Sequence, residues 1–194
     1  MSARPLALLS ALLLGVVAAF PAPAQAEIRG GAFEVGGLVG VGLWQPKVGV
    51  RPCAWYGGMA GHRFKPVAER FHMGFRATWE GCVGALDTPA RPRVDMILVG
   101  AHFNYGVRTF DWMYVYGTVG AGMLLSDRTP SGGAPDPRVT FVGGPGVTVT
   151  AGKYLFVDVS VRVMVFENFN FGTIGAQAGN ASAPVVAVAI GAQI

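Results

Sequence analysis

Hydrophobic and polar residues alternate along much of the chain, most clearly between Tyr154 and Phe166, which reads YLFVDVSVRVMVF. The odd-numbered positions inside this stretch form an unbroken aliphatic row, whereas the even-numbered positions include Asp158, Ser160 and Arg162. Because successive side chains of a strand point to opposite faces, one face is apolar and the other carries charge. The pattern predicts a long β-strand with lipid on one side and a polar lumen on the other.

The same alternation recurs between clusters of turn-forming residues. The predicted links after the second, fourth and sixth strands are short, and the other connections are longer. Short turns on one side and long loops on the other are typical of outer-membrane barrels, whose short turns face the periplasm. We therefore predict an all-β fold, an eight-stranded antiparallel up-and-down transmembrane β-barrel. The predicted strands are Phe33–Leu43, Ala54–Phe64, Phe71–Gly81, Val94–Gly106, Met113–Leu125, Arg138–Val149, Tyr154–Phe166 and Pro184–Ile194. The predicted short links are Lys65–Arg70, Val107–Trp112 and Thr150–Lys153, and the long loops are Trp44–Pro52, Val83–Pro92, Ser126–Pro137 and Glu167–Ala183.

The first residues of the chain are predicted to be a secretory signal peptide. Arg4 gives a positive start, Leu6–Phe20 is apolar and uncharged, and Ala24–Ala26 reads Ala-Gln-Ala, a cleavage pattern. The apolar run is shorter than the roughly 20 residues of a spanning helix, although an N-terminal membrane anchor is the alternative. We expect residues 1–26 to be removed and residues 27–194 to form one domain in the outer membrane.

The composition is unusually apolar for an exported chain. Hydrophobic residues make up 52% of the sequence and charged residues 13%, against about 25% charged residues in typical soluble proteins. Later apolar runs are interrupted by glycine, by charge or by alternation. A closed barrel places such a chain in a membrane because closure pairs its backbone polar groups. The alternative is a soluble periplasmic β-barrel or sandwich that buries its apolar face around a small ligand.

Charge and cysteine content exclude several functional classes. The formal net charge of +4 falls by one when Arg4 is removed, and the chain contains no basic run. This mild charge does not favour a nucleic-acid partner. The chain has 2 cysteines and 3 histidines, and they do not stand at metal-ligand spacing. We expect neither a metal nor another cofactor.

The two cysteines are predicted to form a disulfide, as is common in exported proteins. Cys53 precedes the second predicted strand and Cys82 follows the third. In a hairpin that places Arg63 beside His72, Cys53 lies opposite Cys82, which brings the two thiols within bonding reach. The alternative is two unpaired thiols.

With these strands in place, the chain resembles the small eight-stranded outer-membrane barrels of Gram-negative bacteria, the OmpA/OmpX-like architecture. The resemblance covers the whole mature chain as a pattern of strands. Members of that group commonly end in an aromatic residue that is recognised during assembly, whereas this chain ends in Ile194. The resemblance implies a monomer whose partners are outer-membrane lipid, lipopolysaccharide, the barrel-assembly machinery and periplasmic chaperones.

A set of polar and charged side chains is predicted to face the lumen. One interpretation is a selectivity path or a proton-sensitive site. The other is a plug of mutually paired charges, because buried ions are tolerated only when they are paired. Eight strands leave a lumen that side chains just fill, which favours the plug. The predicted lumen residues are Glu34, Arg63, His72, Arg76, Glu80, His102, Asn104, Asp158 and Arg162.

Catalysis requires a nucleophile within hydrogen-bond reach of a base. The histidines are His62, His72 and His102, and Ser160 is the one serine within a predicted strand. The segment His102–Asn104 lacks the His-x-Ser arrangement that outer-membrane lipid A deacylases use. No grouping of serine, histidine and acid emerges from the strand positions, so we predict that the protein is not an enzyme.

Two further sets of residues bear on membrane contact. The predicted loops carry a slight excess of basic residues that is suited to the phosphates of lipopolysaccharide. Aromatic residues near the strand ends are predicted to form interfacial girdles. The loop bases are Lys47, Arg51, Arg91, Arg93, Arg128 and Arg138, against the acids Asp87, Asp127, Asp136 and Glu167. The girdle candidates are Trp44, Trp55, Tyr56, Trp79, Trp112, Tyr114 and Tyr154.

The leading prediction is an outer-membrane barrel with a structural or surface-interaction role that presents extracellular loops. A narrow, porin-like pore for small solutes or ions and the soluble ligand-binding barrel remain the alternatives.

Overall fold

The chain folds into a closed barrel of eight antiparallel strands in a computed structural model that describes residues 27–43, 50–85, 93–126, 137–166 and 181–194. Each strand pairs with its neighbour in sequence, and β1 closes the barrel against β8. The predicted fold class is confirmed. The strands are β1 (Phe33–Gly42), β2 (Cys53–Arg63), β3 (Phe71–Ala85), β4 (Arg93–Phe110), β5 (Met113–Ser126), β6 (Arg138–Ala151), β7 (Leu155–Phe166) and β8 (Ala181–Gln193).

Three connections and both ends of the described chain lie at one end of the barrel, which we call the turn end. Residues 64–70 join β2 to β3, residues 111–112 join β4 to β5, and residues 152–154 join β6 to β7. The connections after β1, β3, β5 and β7 start from the opposite end, which we call the loop end. In the turn before β7, Gly152 adopts φ +70°, a left-handed conformation that glycine reaches without steric cost.

Strand boundaries differ from the predicted ones where the alternation continues into a presumed turn. The segment Val107–Trp112 was expected to be a short link, but Val107–Phe110 extends β4, with an irregularity between Arg108 and Phe110. β3 likewise continues beyond Gly81 as far as Ala85. The loop after β3 was predicted from Asp87, Pro89 and Pro92, whereas pairing between neighbouring strands continues to Ala85 on β3 and to Phe110 on β4.

The barrel wall is apolar outside and polar inside at its centre. Outward-facing side chains such as Val39, Val119 and Phe141 are exposed, and they form an apolar belt around the barrel. On β7, Leu155, Val163 and Val165 of the predicted aliphatic row are exposed. In the middle of that row, Val157 and Val159 are buried between β-branched neighbours on β6 and β8. None of the described residues forms a helix that is long and apolar enough to cross a membrane.

An apolar group that we call the loop-end cluster fills the interior near the loop end. Trp55, which is 1% exposed, lies against Gly42, where an added Cβ would stand 2.0 Å from the indole nitrogen. Glycine on β1 therefore makes room for tryptophan on β2. The loop-end cluster comprises Val50, Cys53, Trp55, Cys82, Met96, Leu98, Leu124, Val142, Met164, Phe166, Ala183, Val185 and Ala187.

The Cys53–Cys82 disulfide is present within the loop-end cluster, with 6.1 Å between the two Cα atoms. The predicted pairing of this hairpin was wrong by two residues, since Trp55 pairs with Cys82 and Arg63 pairs with Gly74. Only an odd shift moves side chains to the other face. Both cysteines therefore stay inside the barrel, where they bond as diagonal neighbours.

We predict that the double substitution Cys53→Ser with Cys82→Ser destabilises the barrel by about 3–4 kcal/mol, because the disulfide restricts the unfolded chain over a separation of 29 residues. Urea unfolding in phospholipid vesicles, followed by tryptophan fluorescence, measures the change. Reductant should reproduce the loss in the wild type and have no effect on the variant. Equal stability of the two proteins would show that strand pairing alone holds the hairpin.

Candidate functional site: the charged interior

Six strands contribute to a polar group in the half of the barrel nearer the turn end, which we call the central ion-pair cluster. Its members are all buried. The cluster consists of Glu34 on β1, Arg63 on β2, Arg76 on β3, Tyr116 on β5, Thr148 on β6 and Asp158 on β7.

Arg76 links the two carboxylates of the central ion-pair cluster. Its Nε and Nη2 donate to Glu34 Oε2 at 3.1 and 3.0 Å, and its Nη1 donates to Asp158 Oδ2 at 3.0 Å. Arg63 forms a second ion pair with Glu34. A guanidinium group with several donors in one plane is suited to such a bridge, so Arg76 on β3 reaches across the lumen to β7 and also binds β1.

Asp158 is also held by two neutral donors. The Tyr116 hydroxyl lies 2.8 and 2.9 Å from the two carboxylate oxygens, and Thr148 Oγ1 donates to Oδ2 at 2.6 Å. Tyr116 has space because it packs against Gly146, where an added Cβ would stand 2.3 Å from its ring. The carboxylate therefore has partners on β3, β5 and β6, which satisfies its buried oxygens.

A separate ion pair lies closer to the loop end. Arg162 on β7 donates to both oxygens of Glu80 on β3, at 2.6 and 2.8 Å, and the side chains are 9% and 1% exposed. This two-bond geometry is the strongest form of the arginine–carboxylate interaction. Each buried arginine of the described interior thus faces a carboxylate, which is the arrangement of a plug.

The remaining predicted lumen residues are buried but lie outside these ion pairs. His102 Nε2 lies 2.9 Å from Thr78 Oγ1. The His72 ring packs edge-on against Tyr114, whose hydroxyl donates to the His72 carbonyl oxygen at 3.1 Å. Asn104 lines a small cavity of about 30 Å³ next to the central ion-pair cluster. All nine predicted lumen residues are therefore interior, and six of them form ion pairs.

The lining of this cavity includes Ser160, His102 and Asp158. The sequence alone did not predict that a serine, a histidine and an acid would lie this close together. The hydrogen bonds differ from those of a catalytic triad, since His102 is bonded to Thr78 and Asp158 accepts from Thr148 and other donors. No group of three or more potential metal ligands occurs in the part of the chain that the structure describes.

The predicted aromatic girdle is correct only in part. Tyr56, Trp79 and Tyr154 are more than half exposed on the outside of the barrel. Trp55 and Tyr114 were wrongly assigned to it, since both are buried inside. Trp112 is half-buried and stacks on Phe110 at the turn end, and Trp44 lies outside the described residues.

Sequence reasoning missed Tyr116 and Thr148, although a signal was present. Tyr114, Tyr116 and Thr118 alternate on β5 with Val115 and other apolar outward positions. Thr148 occupies the matching inward position on β6. On β7, we assigned the polar positions of the alternating pattern to the interior. The same rule, applied to β5 and β6, places both Tyr116 and Thr148 inside the barrel.

The N-terminal segment, residues 27–32, closes the turn end of the lumen. Ile28 is 1% exposed and packs with Tyr114 and Tyr116, and its N–H donates to the Asp111 carbonyl at 2.7 Å. The Gln193 side-chain amide donates to the Glu27 carbonyl at 2.8 Å. Apolar groups therefore seal both ends of the charged interior.

Comparison with known proteins gives similarity of fold. No family model and no curated protein matches the chain. Ail, the attachment invasion locus protein of Yersinia pestis, solved in complex with the heparin analogue sucrose octasulfate, aligns with a TM-score of 0.54 and 11% identity over 86% of this chain and 100% of Ail. Neisserial surface protein A aligns with a TM-score of 0.55 and 9% identity over 86% of this chain and 98% of that protein. The chain therefore has the fold of the small eight-stranded outer-membrane β-barrels.

We predict that Arg162→Met destabilises the barrel by about 3–5 kcal/mol, because it leaves the Glu80 carboxylate buried without its partner. Adding Glu80→Met should recover most of this loss, since an apolar pair of similar volume replaces both charges. Urea unfolding in vesicles measures both variants, and exposed Lys65→Met is the control that should leave stability unchanged. A double variant no more stable than Arg162→Met would contradict the pairing.

Proposed function

We propose that the protein is a monomeric, non-catalytic barrel of the outer membrane whose sealed interior supports extracellular loops that act at the cell surface. The proposal rests on one observation: the outside of the barrel is apolar and the inside contains ion pairs, the reverse of a soluble protein. Soluble monomers rarely expose continuous apolar surface on this scale. A soluble barrel formed around a ligand would place its apolar face inside, whereas this interior centre is charged.

The proposal requires the loop end to face the outside of the cell. In outer-membrane barrels the long connections are extracellular and the short turns are periplasmic. The signal peptide predicted in residues 1–26, which lie outside the described residues, would direct the chain to this location. Assembly would rely on periplasmic chaperones and the barrel-assembly machinery, as the resemblance implies.

This orientation predicts that Ser131→Cys, between β5 and β6, reacts with a membrane-impermeant maleimide on intact cells. Lys65→Cys, in the link between β2 and β3, is the matched control and should react only after the outer membrane is permeabilised. The native cysteines are bonded to each other and do not interfere. Labelling of both positions only after permeabilisation would contradict the orientation.

We further propose that the loops contact phosphates of lipopolysaccharide. Support comes from the predicted loop bases, of which Arg51 precedes β2, whereas Arg93 and Arg138 begin β4 and β6 because strand pairing reaches them. Lys47, Arg91 and Arg128 lie outside the described residues. Ail, a barrel of similar fold, was solved in complex with the heparin analogue sucrose octasulfate, which is a polyanion.

The double substitution Arg91→Ala with Arg93→Ala should therefore weaken association of the purified protein with lipopolysaccharide, because two guanidinium donors to phosphate are lost. Co-sedimentation with lipopolysaccharide aggregates measures the association. Lys65→Ala, at the turn end, should bind as the wild type does. Unchanged binding of the double variant would remove this partner from the proposal.

The sealed lumen predicts that the protein does not conduct ions. The loop-end cluster occupies one end, Ile28 packs at the other, and paired charges lie between them beside a cavity of only about 30 Å³. In planar bilayers the wild type should give no stable single-channel steps beyond those of protein-free detergent. Stable steps whose size changes with Arg76→Ala or Arg162→Ala would instead establish a pore through the charged interior.

A further inference from the structure

The outside of the barrel carries an apolar groove that runs across β8, β1, β2 and β3. It is an open depression of about 590 Å³ rather than an enclosed cavity. Tyr56 and Trp79 are 52% and 51% exposed, so the groove opens onto the surface that the apolar belt presents. Its lining includes Gly37, Val39, Tyr56, Trp79, Val188 and Ile190.

The aromatic rings that form the walls of the groove, Tyr56 and Trp79, pack beside outward-facing glycines. An added Cβ at Gly58 would stand 2.2 Å from the Trp79 indole, so this ring lies directly over the glycine. The Tyr56 ring packs beside Gly81, at 3.5 Å from an added Cβ. Gly58 thus lets the Trp79 ring lie close to the sheet, and Tyr56 stands in ordinary van der Waals contact beside Gly81, so the two rings form two sides of the groove.

Gly37 forms the floor and has no such cover. An added Cβ at this position would have only the Gly57 carbonyl oxygen within 4 Å, at 3.9 Å. The flanking outward residues Val39 and Ile190 are 62% and 58% exposed and line the groove. The depression is therefore a gap in the apolar belt that no side chain of the described residues fills.

The chemistry of the lining selects a hydrocarbon ligand. Apart from the Tyr56 hydroxyl, the side chains that line the groove present carbon or the indole of Trp79. Tyr56 is three residues from the loop end of β2, and tyrosine favours the boundary between apolar and wet surroundings. The groove thus leads from the middle of the barrel toward the headgroup level on the loop side.

We propose that this groove is a binding site for one acyl chain of lipopolysaccharide, held more tightly than the surrounding lipid. The inference rests on the proposed function, because continuity with the apolar belt places the groove in hydrocarbon and the loop side is the outer leaflet. A chain seated on Gly37 fills the gap and restores the van der Waals contacts that an empty depression lacks.

The test is retention of lipid by protein reconstituted in dimyristoylphosphatidylcholine vesicles with added lipopolysaccharide and then transferred to mild detergent. Native mass spectrometry identifies the lipid that remains bound. Gly37→Leu fills the groove, and Gly143→Leu is the matched control, because an added Cβ at this outward glycine on β6 has only the Thr118 carbonyl oxygen nearby, at 3.5 Å.

The wild type and Gly143→Leu should retain lipopolysaccharide, and Gly37→Leu should lose it while unfolding at the same urea concentration. Equal retention by Gly37→Leu, no retention by the wild type, or retention of phosphatidylcholine instead would overturn the proposal. A dimer that Gly37→Leu abolishes would assign the groove to a second copy and would also overturn it. Failure of Ser131→Cys labelling on intact cells would reject the membrane function itself, so the two failures are distinguishable.

Discussion

The structure depends on the bridge that Arg76 makes between Glu34 and Asp158. Removing these charges from water is costly, and their attraction compensates only when each donor and acceptor is well placed. Such placement requires β1, β3 and β7 to stand at fixed distances across the lumen. The central ion-pair cluster is therefore a strong constraint on barrel closure, since an open or slipped sheet would leave its charges unpaired.

Glycine and aromatic residues complement this constraint on both faces of the wall. Inside, Gly146 admits Tyr116 to the central ion-pair cluster, and Gly42 admits Trp55 to the loop-end cluster. Outside, Gly58 supports the Trp79 ring. Small residues beside large ones are expected in a narrow barrel whose interior must be filled completely. Packing against aromatic rings therefore explains the glycines at positions 42, 58 and 146.

Alternation along the chain was sufficient to predict eight strands, the barrel and the interior position of residues such as Arg162. It was not sufficient for details that depend on neighbouring strands. The hairpin that carries the disulfide was predicted two residues out of register. Alternation determines which side chains face inward, but a shift of two residues keeps the same side chains inside, so the pattern does not distinguish the two registers. Trp55 and Tyr114 were expected at the membrane interface because they lie near strand ends, but parity points both of them inward. The bridge through Arg76 joins residues far apart in sequence, so no local pattern could predict it.

The most direct test of the account is the electrophoretic mobility of the protein in SDS, compared between unheated and boiled samples of the outer-membrane fraction. A closed barrel held by buried ion pairs and full strand pairing should resist SDS when cold and migrate faster than the unfolded chain. We predict a shift on boiling in protein that fractionates with the outer membrane. Identical mobility in both samples, with recovery of the protein from the soluble periplasm, would contradict the membrane barrel.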